Sequence, residues 1–172
     1  MGVVVSDTSV LNYLARLGYF ALLQEQFGHL VVPDAVLTEL DSRPDLPGAG
    51  CVRQAVAEGW IELAAPQNIA MIQLLREDLG LGESQAIALA VERPAVCILM
   101  DESDGRRRAT ALGIAVVGTV GVLLRAKNDG AIPQLAPVLD QLVQQYGFRL
   151  HASLVSKVLL AAGETADPPS DD

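Results

Sequence analysis

Ala95-Val96-Cys97-Ile98-Leu99-Met100-Asp101 is the most apolar stretch of the chain, and it ends on an acid. Residues 96–100 are too short a run for a helix and lie between Pro94 and a polar turn, so they read as a central parallel strand covered on both faces. In that setting Cys97 is a small buried hydrophobe. Downstream, 101–105 reads as a turn, 106–112 as a helix and 114–117 as a short strand closed by Gly118. Upstream, helical spacing over 83–92 follows a break at Gly80 and Gly82, and an earlier helical pattern covers 68–78. At the start, Val3-Val4-Val5 is a β-branched run stopped by Ser6-Asp7-Thr8-Ser9, which has helix N-cap chemistry, and Leu11, Leu14 and Leu17 then recur at helical spacing. A short helix over 21–26, a strand over 30–32, a helix opened by Pro33, a Pro/Gly loop over 42–50, a helix over 52–58 and a strand over 60–63 complete this part. Helical patterns cover 119–127, 133–145 and 152–162. Strands alternating with helices predict an α/β domain of three layers, with a mostly parallel central sheet flanked by helices.

Composition narrows the function. The chain has 172 residues and is 51% hydrophobic, which predicts one folded domain over 1–163. Residues 164–172 hold four acids, two Pro and no base, and read as a disordered acidic tail. With 21 Asp and Glu against 12 Lys and Arg, the net charge of −9 excludes nucleic-acid binding by bulk positive charge, so any such contact must be local. Three Phe, three Tyr and one Trp are too few for a base-stacking platform. Two Cys make no disulfide scaffold and two His no multi-histidine zinc site, which fits a reducing cytoplasm. No leader pattern precedes Asp7, and the longest uncharged stretch, 109–124 apart from its flanks, is broken by three Gly and falls short of the roughly 18 apolar residues of a membrane span.

In an open α/β sheet, ligands gather beyond the carboxyl ends of the strands. Asp7 and Asp101 stand at such ends, and Glu39 and Glu83 lie on helical segments able to reach the same crevice, with Glu102 and Asp104 in the turn after Asp101. Each acid has a structural reading as well: Asp7 as a helix cap, Glu83 as a charge at a helix N-terminus, Glu39 as an exposed face residue. Several carboxylates meeting within about 4 Å repel by about 1 kcal/mol per pair even in water, so a fold that gathers them needs a cation. Oxygen donors without His or Cys favour Mg²⁺ or Mn²⁺ over zinc.

Val4-Val5-Ser6-Asp7-Thr8-Ser9-Val10-Leu11, the Glu39 helix, Gly82-Glu83-Ser84-Gln85-Ala86-Ile87 and Leu99-Met100-Asp101-Glu102 together resemble the four acidic motifs of PIN domains. Gly118-Thr119-Val120-Gly121-Val122-Leu123 adds to the likeness, which is strongest to a prokaryotic branch with Gly-Glu-x-x-Ala-Ile as its third motif and covers residues 3 to 132. The resemblance implies a metal-dependent ribonuclease fold of the kind found in VapC-type toxins, with Asp7, Glu39, Glu83 and Asp101 as catalytic, metal-binding acids and Asp104 as a further ligand. Many PIN nucleases carry Asp where this chain has Glu83. The implied partners are RNA and a small antitoxin protein, with the chain as a homodimer.

The expected chemistry is metal-assisted phosphodiester hydrolysis, since no His lies near the motifs to act as base. Arg106-Arg107-Arg108, directly after the Asp101 turn, is the densest basic run and, with Thr8 and Ser9, forms the candidate nucleic-acid contact. About 100° separates neighbouring side chains on a helix, so one or two of these Arg face a groove. Neither a phosphate-binding Gly loop nor a Gly-x-Ser-x-Gly elbow is present. The reading from a different class is a non-catalytic PIN-like module that binds RNA or protein without cutting. The apolar helices over 119–162 offer surface for self-association or for an antitoxin peptide, although core packing accounts for most of those positions.

Overall fold

The computed structural model describes residues 2–165. The chain divides into two compact units, Met1–Thr119 and Val120–Asp172.

The first unit carries the whole sheet. Strands β1 (Val3–Ser6), β2 (Leu30–Pro33), β3 (Ile61–Ala64), β4 (Ala95–Leu99) and β5 (Val116–Val117) pair in the order β3-β2-β1-β4-β5. Every pairing is parallel, with Ser6 opposite Leu99 at the carboxyl end of the central pair. The chain moves outward from β1 through β2 to β3, then returns to place β4 on the other side of β1. That reversal makes the gap between β1 and β4 the topological switch point.

Helices α1 (Thr8–Leu17), α2 (Ala21–Phe27), α3 (Asp34–Asp41) and α4 (Gly48–Ala57) link the first three strands, while α5 (Ile69–Leu75) and α6 (Leu81–Glu92) lead to β4 and α7 (Ser103–Ala111) to β5. Right-handed crossovers running in opposite directions put these two groups on opposite faces of the sheet, which yields three layers. Helix α6 packs on β1, β2 and β4 and buries Ala86 through Ala90 without interruption. Its small residues let it lie close to the sheet, and a helix apolar on nearly all sides has to be interior. The core joins Val5, Val31, Ile98, Ile87, Leu89 and Met100.

Several sequence boundaries shift. Strand β4 is fully buried only in its second half, because Val96 is 58% exposed at its amino end. Helix α7 starts at Ser103, so Asp104 stands on its first turn and not in a loop. Helix α4 begins at Gly48, inside the expected Pro/Gly loop, and α5 is a seven-residue piece of the longer helix expected over 68–78.

The second unit follows on α8 (Thr119–Asn128) with α9 (Ala136–Gln144) and α10 (Ala152–Ala161). Leu135, Leu139, Leu142 and Leu159 form its buried apolar side. Glu164, which composition assigns to the tail, is instead engaged: its carboxylate accepts from the Leu135 and Ala136 amides at 2.6 and 2.9 Å, and Lys127 Nζ stands 3.4 Å away. Those amides open α9 and have no partner within the helix, so the acid satisfies donors that the helix cannot. The rest of the acidic stretch, 166–172, lies outside the described residues. Among the described residues no helix is long and apolar enough to cross a membrane.

Candidate metal and nucleic-acid site

Asp7 follows the last residue of β1, and Asp101 follows Met100 just beyond β4. The Asp7 amide donates to the Leu99 carbonyl at 3.0 Å, which ties the two strand ends together at the switch point. Asp7 is also the N-cap of α1, accepting from the Ser9 and Val10 amides at 3.0 and 3.5 Å. The capping role and the place beside the other acids thus belong to the same side chain. Ser9 Oγ donates toward both Asp7 oxygens, at 2.8 and 3.0 Å, and accepts from the Asp101 amide at 3.2 Å. One hydroxyl therefore ties the Asp7 carboxylate to the Asp101 backbone.

Asp101 is held from the other side by a residue that charge counting passes over. The Thr119 amide donates to Oδ1 at 2.8 Å and Thr119 Oγ1 to Oδ2 at 2.6 Å. Thr119 is fully buried, and its only advance signal is its place in the Gly-Thr-x-Gly segment. Glu39, from α3, takes Thr8 Oγ1 on Oε2 at 2.5 Å and the Gly82 amide on Oε1 at 2.8 Å, linking α3 to the start of α6. A Cβ at Gly82 would lie 2.7 Å from Glu39 Oε2, so only glycine permits that approach.

Glu83 is the least satisfied of the four. Its Oε2 accepts from the Gly80 amide at 3.1 Å, while Oε1 is buried with no hydrogen-bond partner. A Cβ at Gly105 would come within 2.7 Å of that same Oε1. Native folds rarely leave a buried acceptor unmet, and doing so costs about 1–3 kcal/mol.

Electrostatics connect the set. Burial holds the Asp7 carboxyl well above the ordinary range, partly offset by the Ser9 hydrogen bond, and the charges of Asp101 and Glu83 add to the rise. Burial also raises Asp101, against the Thr119 hydrogen bonds and the Arg106 charge, and Glu102 pushes it further. Glu83 is raised by burial and by the nearby charges of Glu102, Glu39 and Asp104. The structure therefore brings the four motif acids into one electrostatic neighbourhood. Asp104 stands at its edge, exposed and ion-paired with Arg107 at 3.0 Å.

The basic run divides. Arg106 donates to the Met100 carbonyl at 2.8 Å beside Asp101, Arg107 pairs with Asp104, and Arg108 pairs with Asp78 at 2.7 Å. The latter two pairs are solvent-exposed, so each contributes little to stability and can yield to a phosphate. Thr8 and Ser9 are engaged with Glu39 and with Asp7, which places them as supports of the acids.

The donors around this crevice are carboxylate oxygens, the ligand class of hard divalent cations. The unpartnered Glu83 Oε1 and the burial of like charges fit such an ion chemically. As placed, no three His, Cys, Asp or Glu side chains among the described residues form a group that could hold a metal. The carboxylates rest instead on hydroxyl and amide donors.

A family profile described as a PIN domain matches residues 3–164. No curated protein matches the chain. PIN domains are generally nucleases that use divalent metal ions and bind RNA or DNA. The match takes in the sheet, both strand-end acids and the helices that carry Glu39 and Glu83, and on that ground the chain belongs to the PIN-domain family.

Proposed function

We propose that this protein is a metal-dependent endoribonuclease that hydrolyses RNA phosphodiester bonds, with Asp7, Glu39, Glu83 and Asp101 holding Mg²⁺ or Mn²⁺. The observation that carries the reading is the burial of mutually repelling carboxylates at the switch point, with Glu83 Oε1 lacking any donor. A fold keeps such an arrangement when a cation offsets it. When bound there, a divalent ion supplies an activated water nucleophile and charge compensation for the scissile phosphate.

The chain's own residues do the positioning. Ser9 and Thr119 fix Asp7 and Asp101, and Thr8 with the Gly82 amide fixes Glu39. No His or Cys belongs to this set, so no side-chain base of the usual kind accepts the proton. Arg106, bonded beside Asp101, and the exchangeable Arg107 and Arg108 offer charge to the RNA backbone. Within this reading the protein is cytoplasmic, the toxin of a toxin–antitoxin pair, a homodimer, and held in check by a small antitoxin protein.

The test is cleavage of a mixed RNA pool with Mn²⁺ and with EDTA, by the native protein and by Asp101→Asn. Metal-stimulated cleavage that falls at least 100-fold in the variant supports the assignment; equal cleavage by both proteins defeats it. The absence, among the described residues, of a ready-made three-ligand group favours one other reading, a PIN-like module that binds RNA or protein without cutting. Calorimetric titration with Mn²⁺ separates the two, because the binding module takes up no metal through these acids.

A further inference from the structure

Helix α1 has two faces. Val10, Leu11, Leu14 and Ala15 are buried, while Ser9, Tyr13 and Arg16 are half-buried. Successive side chains turn by about 100°, so these last three fall within about 60° of one another and form one stripe along the helix. Ser9 fixes where the stripe starts, because its hydroxyl donates to the Asp7 carboxylate and accepts from the Asp101 amide at 3.2 Å. Tyr13 and Arg16 continue that stripe away from the carboxylate site, one and two turns along α1.

Electrostatics agree with this placement. Burial raises the Tyr13 phenol above its ordinary range, the charges of Asp101 and Glu102 raise it further, and Arg16 works against them. The phenol thus lies within range of the Asp101 turn and of the Arg16 guanidinium together. A neutral phenol offers an O–H donor and a guanidinium several N–H donors, whereas the ionised acids beside them are acceptors only. Helix α7 reaches the same turn from the other face of the sheet, since the β1-to-β2 and β4-to-β5 crossovers run in opposite directions, and it brings Arg106 beside Asp101. Donors therefore flank the strand-end acids on both faces, with Tyr13 and Arg16 on α1 and Arg106 on α7. A polyanion crossing the carboxyl edge of the sheet meets a cation before the acids and another after them, which a chain of net charge −9 has to supply locally.

We propose that the Tyr13 and Arg16 stripe of α1 is a backbone track for single-stranded RNA, in which Arg16 contacts a phosphate and Tyr13 Oη donates to the sugar–phosphate chain between that phosphate and the carboxylate site. The proposal rests on the ribonuclease reading and deepens it, giving the substrate a second arm on the face of the sheet opposite α7. Arg16 also stands in the last turn of α1, where a cation complements the helix dipole, so the test needs a readout that this structural role does not move.

That readout is the salt dependence of binding. Fluorescently labelled random-sequence single-stranded RNA is titrated in EDTA across a salt series with the native protein, Arg16→Gln, Arg16→Lys and Tyr13→Phe. Arg93→Gln is the charge-matched control, since Arg93 stands just before β4, at the amino edge of the sheet, in an exposed pair with Glu62. Loss of one phosphate contact in Arg16→Gln reduces the slope of log K against log salt by about 0.7 and weakens binding about fivefold at 0.1 M salt. Arg16→Lys restores the slope, and Arg93→Gln leaves it at the native value. Tyr13→Phe removes no charge, so it weakens binding about tenfold, as for one hydrogen bond to a charged group, without changing the slope. If Arg16→Gln folds poorly by circular dichroism, the Tyr13→Phe result decides. Coincident slopes for Arg16→Gln and Arg93→Gln, native affinity in Tyr13→Phe, or no RNA binding by the native protein overturn the track. Failure of the nuclease reading has a different mark: Asp101→Asn cuts as well as the native protein, while the Arg16 and Tyr13 effects on binding persist and uphold the track.

Discussion

Asp7→Asn should make the metal-free protein more stable while removing its activity. Asparagine keeps the shape of the side chain and the acceptor that receives the Ser9 amide, so the cap of α1 survives. What disappears is a buried negative charge facing Asp101 and Glu83. Burial of that charge is the larger cost, and its repulsion from two other carboxylates adds to it, a like-charge pair at about 4 Å being worth about 1 kcal/mol at the dielectric of water. Against this stand the charge-assisted part of the Ser9 bonds and the interaction with the α1 dipole, about 0.3–1 kcal/mol for the latter. The balance is a gain on the order of 1–2 kcal/mol, or about 2–8 °C in thermal midpoint for a chain of this size. The pH dependence has a fixed sign. An acid whose folded pKa is raised is costly where it is ionised in the fold, above that raised value, and costs nothing below its ordinary value of 3.8, where both states are neutral. The advantage of Asp7→Asn is therefore full at high pH and shrinks as the pH falls toward 4. Urea unfolding in EDTA at a series of pH values measures it, and Mn²⁺ should reverse the order by stabilising only the native protein. A variant less stable than native at pH 7.5 in EDTA, or a difference that does not change with pH, would refute the argument that these charges oppose the fold.

Thr119→Val removes the Oγ1 bond to Asp101 while keeping the amide bond and the volume; urea unfolding should show a loss of about 1.5–3 kcal/mol, as for a hydrogen bond to a charged group, with RNA cleavage reduced as well. Gly82→Ala puts a methyl 2.7 Å from Glu39 Oε2, and since Glu39 can swing away at little cost in stability, the thermal midpoint should move by less than about 3 °C while cleavage falls at least tenfold by loss of positioning. Saturating Mn²⁺, at 100 times its dissociation constant, should raise native stability by about 2.7 kcal/mol and leave Asp7→Asn and Asp101→Asn unchanged, as differential scanning fluorimetry can show. Glu164→Ala should lower the unfolding midpoint by the equivalent of about 1–2 kcal/mol, because two amides at the start of α9 lose their acceptor; an unchanged midpoint would return this residue to the tail.

The strands and their parallel pairing were legible because a strand buried on both faces must be written as a short continuous apolar run, and Val3–Val5, Leu30–Val32 and Val96–Met100 leave little choice of period. The strand-end acids were legible for the same reason, since an apolar run that stops on Asp7 or Asp101 locates the carboxyl edge of a sheet. The amino acids alone thus determined the fold class and the placing of two acids at strand ends. Burial of β4, the start of α7 and the order of strands were not local properties. Val96 is apolar yet exposed, and Ser103-Asp104-Gly105 is turn-like in composition yet helical, because packing outweighs propensities worth tenths of a kcal/mol. Only the tertiary structure decided which side chains hold the acids. Thr119 lies 18 residues from Asp101, and Gly82 lies 43 from Glu39. Hydrogen bonds between distant segments depend on a few tenths of an ångström of placement, and that information resides in how α3, α6 and the strand ends pack, not in the identity of any one residue.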